Sequence, residues 1–169
     1  MTCYSMNPRQ PPFNTIIIQP HFLQWIINQL PLIVITVTSL LACGVEGVAF
    51  PRLLYALTIL LSLQLLYTFI YMRSMEYRIT DQQIIFEHGV FKKSTDYMEL
   101  YRVIDFTEHR NIMQQICALK TTTIYAGDRN MPKLHIIGMK NHYDFVSELR
   151  RRVIHSREIH HIYEVTNRI

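Results

Sequence analysis

The sequence predicts an α+β membrane protein, a two-helix transmembrane hairpin followed by a small strand-rich domain. Two apolar runs, roughly Phe22–Cys43 and Leu53–Met72, lie close together, with Gly44, Gly47 and Pro51 in or beside the short link between them. Behind them, short segments alternate apolar and polar residues, as half-buried strands do. Near the end, Phe145, Val146, Leu149 and Val153 fall on one stripe of a single amphipathic helix. These features divide the chain into an N-terminal segment (1–21), the hairpin (22–72, helices 22–43 and 53–72), a domain (73–155) and a tail (156–169).

The second run, LLYALTILLSLQLLYTFIYM, has no charged residue. At 1.5 Å rise per residue it is long enough to cross a hydrocarbon layer of about 30 Å. The first run opens less uniformly, with Gln24, Asn28, Gln29 and Pro31, and Trp25 among them suits the wet edge of a bilayer. Pro8, Pro11 and Pro12 give residues 1–21 an extended, flexible start, and Asn14–Gln19 is read either as a short strand or as a stretch lying on the membrane surface. Gln64, mid-helix opposite Thr36, Thr38 and Ser39, is the candidate interhelical hydrogen-bonding contact; lacking an ionisable partner, it gives no transport pathway.

Fifteen of the seventeen basic and twelve of the thirteen acidic residues lie from Arg73 onward, so this half is nearly balanced, unlike a nucleic-acid binder. Arg73 and Arg78 follow the second helix directly, and Lys92 and Lys93 come soon after. The positive-inside rule then places both termini in the cytoplasm, as a multi-pass protein of the inner (cytoplasmic) membrane. Cys3, Cys43 and Cys117 are odd in number and scattered, which fits a reducing compartment and no disulfide framework. Leu40–Gly44 resembles a lipidation box, but the long, nearly uncharged stretch before it is unlike a signal peptide, and Cys43 is read as closing the helix.

In the polar half, Glu76–Thr80 alternates, Asp81-Gln82 turns and Ile84–His88 returns. Gly89 permits a tight turn into a third strand from Val90 to Leu100. Val103–His109 follows as a strand with Ile104 and Phe106 on one face. Asn111–Ile116 breaks the alternation as a helical turn. Leu119–Ala126 and Lys133–Ile137 are the last strands, with Gly127–Asn130 between them as turn chemistry. Asn141 is expected to cap the final helix, with Asp144 three residues on. Antiparallel strands closed by one helix form a partly open barrel or two-sheet sandwich that the helix plugs.

From Ile18 onward the chain resembles the bacterial pleckstrin-homology (PH)-like membrane proteins. The resemblance rests on Gln19-Pro20, Tyr77-Arg78-Ile79-Thr80, His88-Gly89 with Phe91, Arg102–Asp105, Gln115-Ile116 with Leu119, and Pro132–Gly138. Ala118-Leu119-Lys120 departs from a leucine–glycine pair frequent in the family, which puts the turn into the next strand in question. The resemblance implies a PH-like domain of two near-orthogonal antiparallel sheets capped by the C-terminal helix, no catalytic activity and no defined ligand. PH domains of eukaryotes often bind phosphoinositides through a basic loop between the first two strands. That loop is read here as Thr80–Gln83, short and acidic, without the Arg or Lys that phosphate capture needs.

Arg73, Arg78, Lys92 and Lys93 are the candidate membrane-surface or lipid contacts. Arg150, Arg151, Arg152 and Arg157 are candidate partner contacts. Three consecutive arginines splay around a helix, and at least one is expected to cover the apolar stripe with its methylenes while its guanidinium stays wet. His155, His160 and His161 lack the spacing for a metal, Glu108 and His109 point to opposite faces of a strand, and no phosphate loop or nucleophile motif occurs. No catalytic residue, metal, cofactor, small-molecule substrate or nucleic acid is therefore expected. The function expected is a non-enzymatic, membrane-anchored module or scaffold that docks a protein partner or forms an oligomer at the cytoplasmic face. The alternatives are an anionic-lipid-sensing or envelope-stress component, or an accessory subunit of a larger membrane complex.

Overall fold

Strand β1 (Ile16–Ile18), three consecutive β-branched residues, precedes the hairpin and belongs to the domain behind it. The structure is a computed structural model and describes residues 13–45, 50–129 and 131–160. After β1 come α1 (Phe22–Ala42) and α2 (Pro51–Arg73), then β2 (Glu76–Ile79), β3 (Gln83–His88) and β4 (Ser94–Glu99). A 3-10 turn over Leu100–Arg102 leads to β5 (Val103–His109), α3 (Ile112–Ile116), β6 (Leu119–Ala126), β7 (Lys133–Lys140) and α4 (Phe145–Ile159). The antiparallel sheets have the orders β1-β2-β3-β4 and β5-β6-β7.

This topology corrects the expected division at residue 21. Ile16, Ile17 and Ile18 pair with Ile79, Arg78 and Tyr77, so the domain begins before the two apolar helices and resumes after them. The connection between its first two strands is not Thr80–Gln83, which joins β2 to β3. It is the entire hairpin. The expected flexible start therefore holds an ordered edge strand; residues 1–12, with Cys3, lie outside the described residues.

The hairpin helices are long and apolar enough to cross a membrane, and only 11% and 6% of their most apolar windows are buried within the chain. A soluble core helix would be covered by its own protein; these present their apolar sides outward. The α2 seam runs through Leu54, Thr58, Leu61, Leu65, Thr68 and Met72, all less exposed than their neighbours, at three- and four-residue spacings. Gln64 lies off that seam and is exposed, which corrects its assignment as the interhelical contact. Small hydroxyls meet instead: Ser39 Oγ and Thr58 Oγ1 are 2.6 Å apart in a buried contact. Thr58 donates to the Leu54 carbonyl, so Ser39 is the donor between the helices. Near the domain, Trp25 Nε1 donates to Thr68 Oγ1 at 3.2 Å, within a cluster of Phe22, Trp25 and Phe69 rings.

The domain core joins Tyr77, Ile79, Ile84 and Met98 of the first sheet to Ile124, Leu134 and Ile136 of the second, with Phe145, Leu149 and Val153 of α4 plugging one end. Alternation places these side chains inward, but several expected boundaries move. The third strand is Ser94–Glu99, because Gly89 at φ 111° turns the chain into a loop through Lys93. A bulge between Val103 and Asp105 buries Val103 and leaves Ile104 69% exposed, so Ile104 does not share a buried face with Phe106. Strand β7 runs on to Lys140. Asp144, not Asn141, caps α4, accepting from the Ser147 amide at 3.3 Å, because β7 runs on to Lys140 and the helix starts only at Phe145, which puts Asn141 too far ahead of the first turn. The α4 helix continues to Ile159 with Ser156 buried, past the expected boundary at 155. Ala118, at the departure from the family pattern, is held at φ 51° in the left-handed region.

Candidate partner-docking groove and hairpin junction

The first turn of α1 is locked to the second sheet by polar residues that its own apolar run does not need. Buried Gln24 donates to Asn28 Oδ1 at 2.8 Å and accepts from Gln114 Nε2 at 2.8 Å. Gln114 also donates to Thr121 at 2.9 Å and accepts from the Asn111 amide at 3.0 Å, closing a capping box at the start of α3. The His21 amide donates to the Gly138 carbonyl at 3.1 Å. Gly138 lies at φ 68°, and a Cβ there would sit 2.8 Å from Gln24 Cβ. Only glycine gives both that backbone and that approach.

Beside this junction, the outer edges of β1 and β7 border a groove of about 450 Å³. Its walls are Ile16–Gln19 and His21 on one side and Gly138–Lys140 on the other, with His142 and Tyr143 at the end. Among the described residues neither edge pairs with another strand. Ile17 is 58% exposed there. Strand edges that pair with no further strand, beside apolar side chains and rimmed by Lys140, His21 and His142, suit an added strand of polypeptide.

The predicted site residues divide by environment. Arg152 is only 2% exposed, and the expectation that the arginine covering the apolar stripe keeps its guanidinium wet is corrected. That group donates to the carbonyls of Asn14 (2.7 Å), Thr80 (3.1 Å) and Ile79 (3.4 Å) and pairs with Glu148. It lies over the Phe13 ring as well. Arg152 thus clasps the chain before β1 to the end of β2 and is no surface contact, because these carbonyls at the sheet corner need donors from α4. Arg157 donates to the Val103 carbonyl at 2.6 Å, Arg151 pairs with Glu148, and Arg150 is exposed.

Arg78 bridges Glu76 (3.0 Å) and Glu87 (3.7 Å), while Arg73 reaches Gln19 at 3.5 Å. The hydrogen bond from Arg78, then that from Gln19, holds the Glu76 carboxyl below its ordinary range. Burial pushes the Tyr77 phenol up, and its hydroxyl donates to the His135 carbonyl at 2.9 Å. Lys92 and Lys93 are exposed. The four lipid candidates thus differ: Arg78 is engaged within the first sheet, whereas Lys92 and Lys93 stand on the β3–β4 loop. Among the described residues, no three His, Cys, Asp or Glu side chains form a group that could hold a metal.

The buried Gln24–Gln114 contact and the groove escaped the sequence reading. Gln24 looked like an interfacial residue, and nothing local marks its partner 90 positions away. The signal for β1 was the Ile16–Ile18 run itself.

The family model described as a bacterial PH domain matches residues 26–156, well over half the chain. The chain belongs to the bacterial PH domain family. The match opens inside α1, so β1, which completes the first sheet, lies ahead of it. No curated protein and no solved structure matches the chain.

Proposed function

We propose that this chain is a non-catalytic interaction module anchored in the bacterial cytoplasmic membrane. Its hairpin crosses the bilayer, both termini lie in the cytoplasm, and the PH-like domain docks a protein partner or a second copy. Membership of the family supports a binding role rather than a chemical one. The exposed apolar flanks of both helices support the anchor. Basic Arg73, Lys92 and Lys93 at the domain end support a cytoplasmic orientation.

The observation that carries docking is the open groove between the β1 and β7 edges. An incoming strand there gains main-chain hydrogen bonds from either edge and a contact with Ile17. Because β1 leads directly into α1 and β7 touches it through Gly138, an occupant would meet both the membrane anchor and the domain.

The test is photo-crosslinking from a benzophenone amino acid in place of Ile17 or His142, in the full chain in its native membrane. Protein adducts are expected at both positions, and native mass spectrometry in detergent should show a dimer or a bound partner. A strict monomer without protein adducts overturns the docking reading.

A further inference from the structure

Two apolar projections of the domain flank the hairpin, one beside each helix, and neither belongs to the domain core. The first is the β3–β4 loop, residues 89–93. Gly89 makes it tight: its φ is 111°, and a Cβ would lie 2.0 Å from the Lys92 carbonyl oxygen. At its tip Phe91 is 93% exposed, so neither the domain nor α2 covers that ring. Yet the ring lies parallel to Tyr67 of α2, with centroids 6.5 Å apart and planes at 15°. Tyr67 precedes Arg73 by six helical residues, a depth of about 9 Å along the helix axis. The loop therefore reaches past the end of α2 and down its side, to the level where Tyr67 and Tyr71 stack.

The second projection is α3. Gln114 faces inward to Gln24 of α1, so the opposite side of this short helix is presented outward. That side carries Ile112 (77% exposed), Met113 (41%) and Ile116 (76%). Gln24 is the third residue of α1, next to Trp25, so α3 stands at the height of the interfacial aromatic cluster.

We propose that the β3–β4 loop and α3 enter the membrane interface on the two sides of the hairpin and seat the domain on the bilayer. The occupant of both apolar tips is lipid, because each continues a surface that the hairpin already exposes at the same depth. Phe91 joins the ring layer of α2, and Ile112 and Ile116 join that of α1. Lys92 and Lys93, directly behind Phe91, are placed to meet anionic head groups while the ring goes deeper. Together with the Gln24–Gln114 lock, the two seats hold the domain at one tilt, which sets how the β1–β7 groove faces the cytoplasm.

The inference rests on the hairpin crossing the bilayer, and the test separates the two claims. The full chain is reconstituted in vesicles of phosphatidylcholine and phosphatidylglycerol with a benzophenone amino acid at one of four positions. Leu63 is exposed in the middle of α2 and reports the anchor; Gln82, on the β2–β3 turn at the far end of β2 from α2, is the aqueous control. Phe91 and Ile116 report the two seats. Lipid adducts are expected at 63, 91 and 116, several-fold above the level at 82. Adducts at 63 with none above control at 91 and 116 overturn the seating alone. Adducts from 91 or 116 to a second copy in place of lipid also overturn it. No adduct at 63 overturns the anchor and the seating with it.

Discussion

The two ends of the hairpin are held by different means. At the far end the helices meet through the Ser39–Thr58 hydroxyls and the Tyr55 hydroxyl on the Cys43 carbonyl, contacts local to the two helices. At the domain end, Arg152 clasps the chain before β1, Gln24 is bonded to Gln114, and the His21 amide bonds to Gly138. The first two contacts span 138 and 90 positions, and the third joins residues 21 and 138. The far end is thus a simple pair of packed helices, whereas the near end is part of the domain's own fold. The apolar helices and the domain form one unit, joined at two chain crossings rather than by a tether.

That contrast breaks most readily at Arg152. Removing it leaves three carbonyls at the sheet corner without their donor and Glu148 with Arg151 alone, and losing one partner of a buried pair costs about 3–5 kcal/mol. Arg152→Ala should unfold the full chain in detergent at a markedly lower Tm, while exposed Arg150→Ala leaves Tm unchanged. Equal behaviour of the two would remove the clasp. Next in size is Gly138→Ala. The left-handed φ and the 2.8 Å approach to Gln24 together make a loss of about 1–3 kcal/mol the expected result. Hydrogen exchange should then show the first turn of α1 loosened before the sheets. If the loss is confined to β7, the junction is not what Gly138 serves.

Thr58→Val tests the far end. Interhelical hydrogen bonds in membranes average about 0.6 kcal/mol, so a small shift in thermal stability is expected. A loss as large as that of Gly138→Ala would erase the difference between the ends. The smallest effect concerns acid. Glu76 titrates below its ordinary value of 4.5, so its stabilising contacts are complete above that pH and are lost as pH falls through the lowered value. Glu76→Gln should flatten the acid limb of the stability profile and leave neutral stability nearly unchanged. An unaltered acid limb would show that the Arg78 and Gln19 contacts do not couple to folding.

The elements themselves were largely legible: the charge-free run before Arg73, the alternation of Glu76–Ile79, and the stripe on Phe145, Leu149 and Val153. Each is a periodicity within one segment. The misreadings share a cause. Placing Gln64 at the helix interface needed the rotation of α2, which the seam through Thr58 and Thr68 decides. Reading the covering arginine's guanidinium as wet missed three carbonyls at a corner built by β2 and the chain before β1, which Arg152 satisfies. The cap moved from Asn141 to Asp144 because pairing with β6 carries β7 on to Lys140, so the helix starts only at Phe145.

Apolar length and local alternation, written residue by residue, determined by themselves that this protein has two bilayer-length helices, a run of antiparallel strands and a closing helix. Only the tertiary structure decided that Ile16–Ile18 joins the first sheet across the whole hairpin. It alone decided that Gln24 and Gly138 weld helix to sheet, and that the Phe91 ring stands parallel to Tyr67 at its level on α2. A strand edge, a buried amide and a backbone approach are satisfied by whichever partner folding brings near, and that partner leaves no periodic mark in the chain.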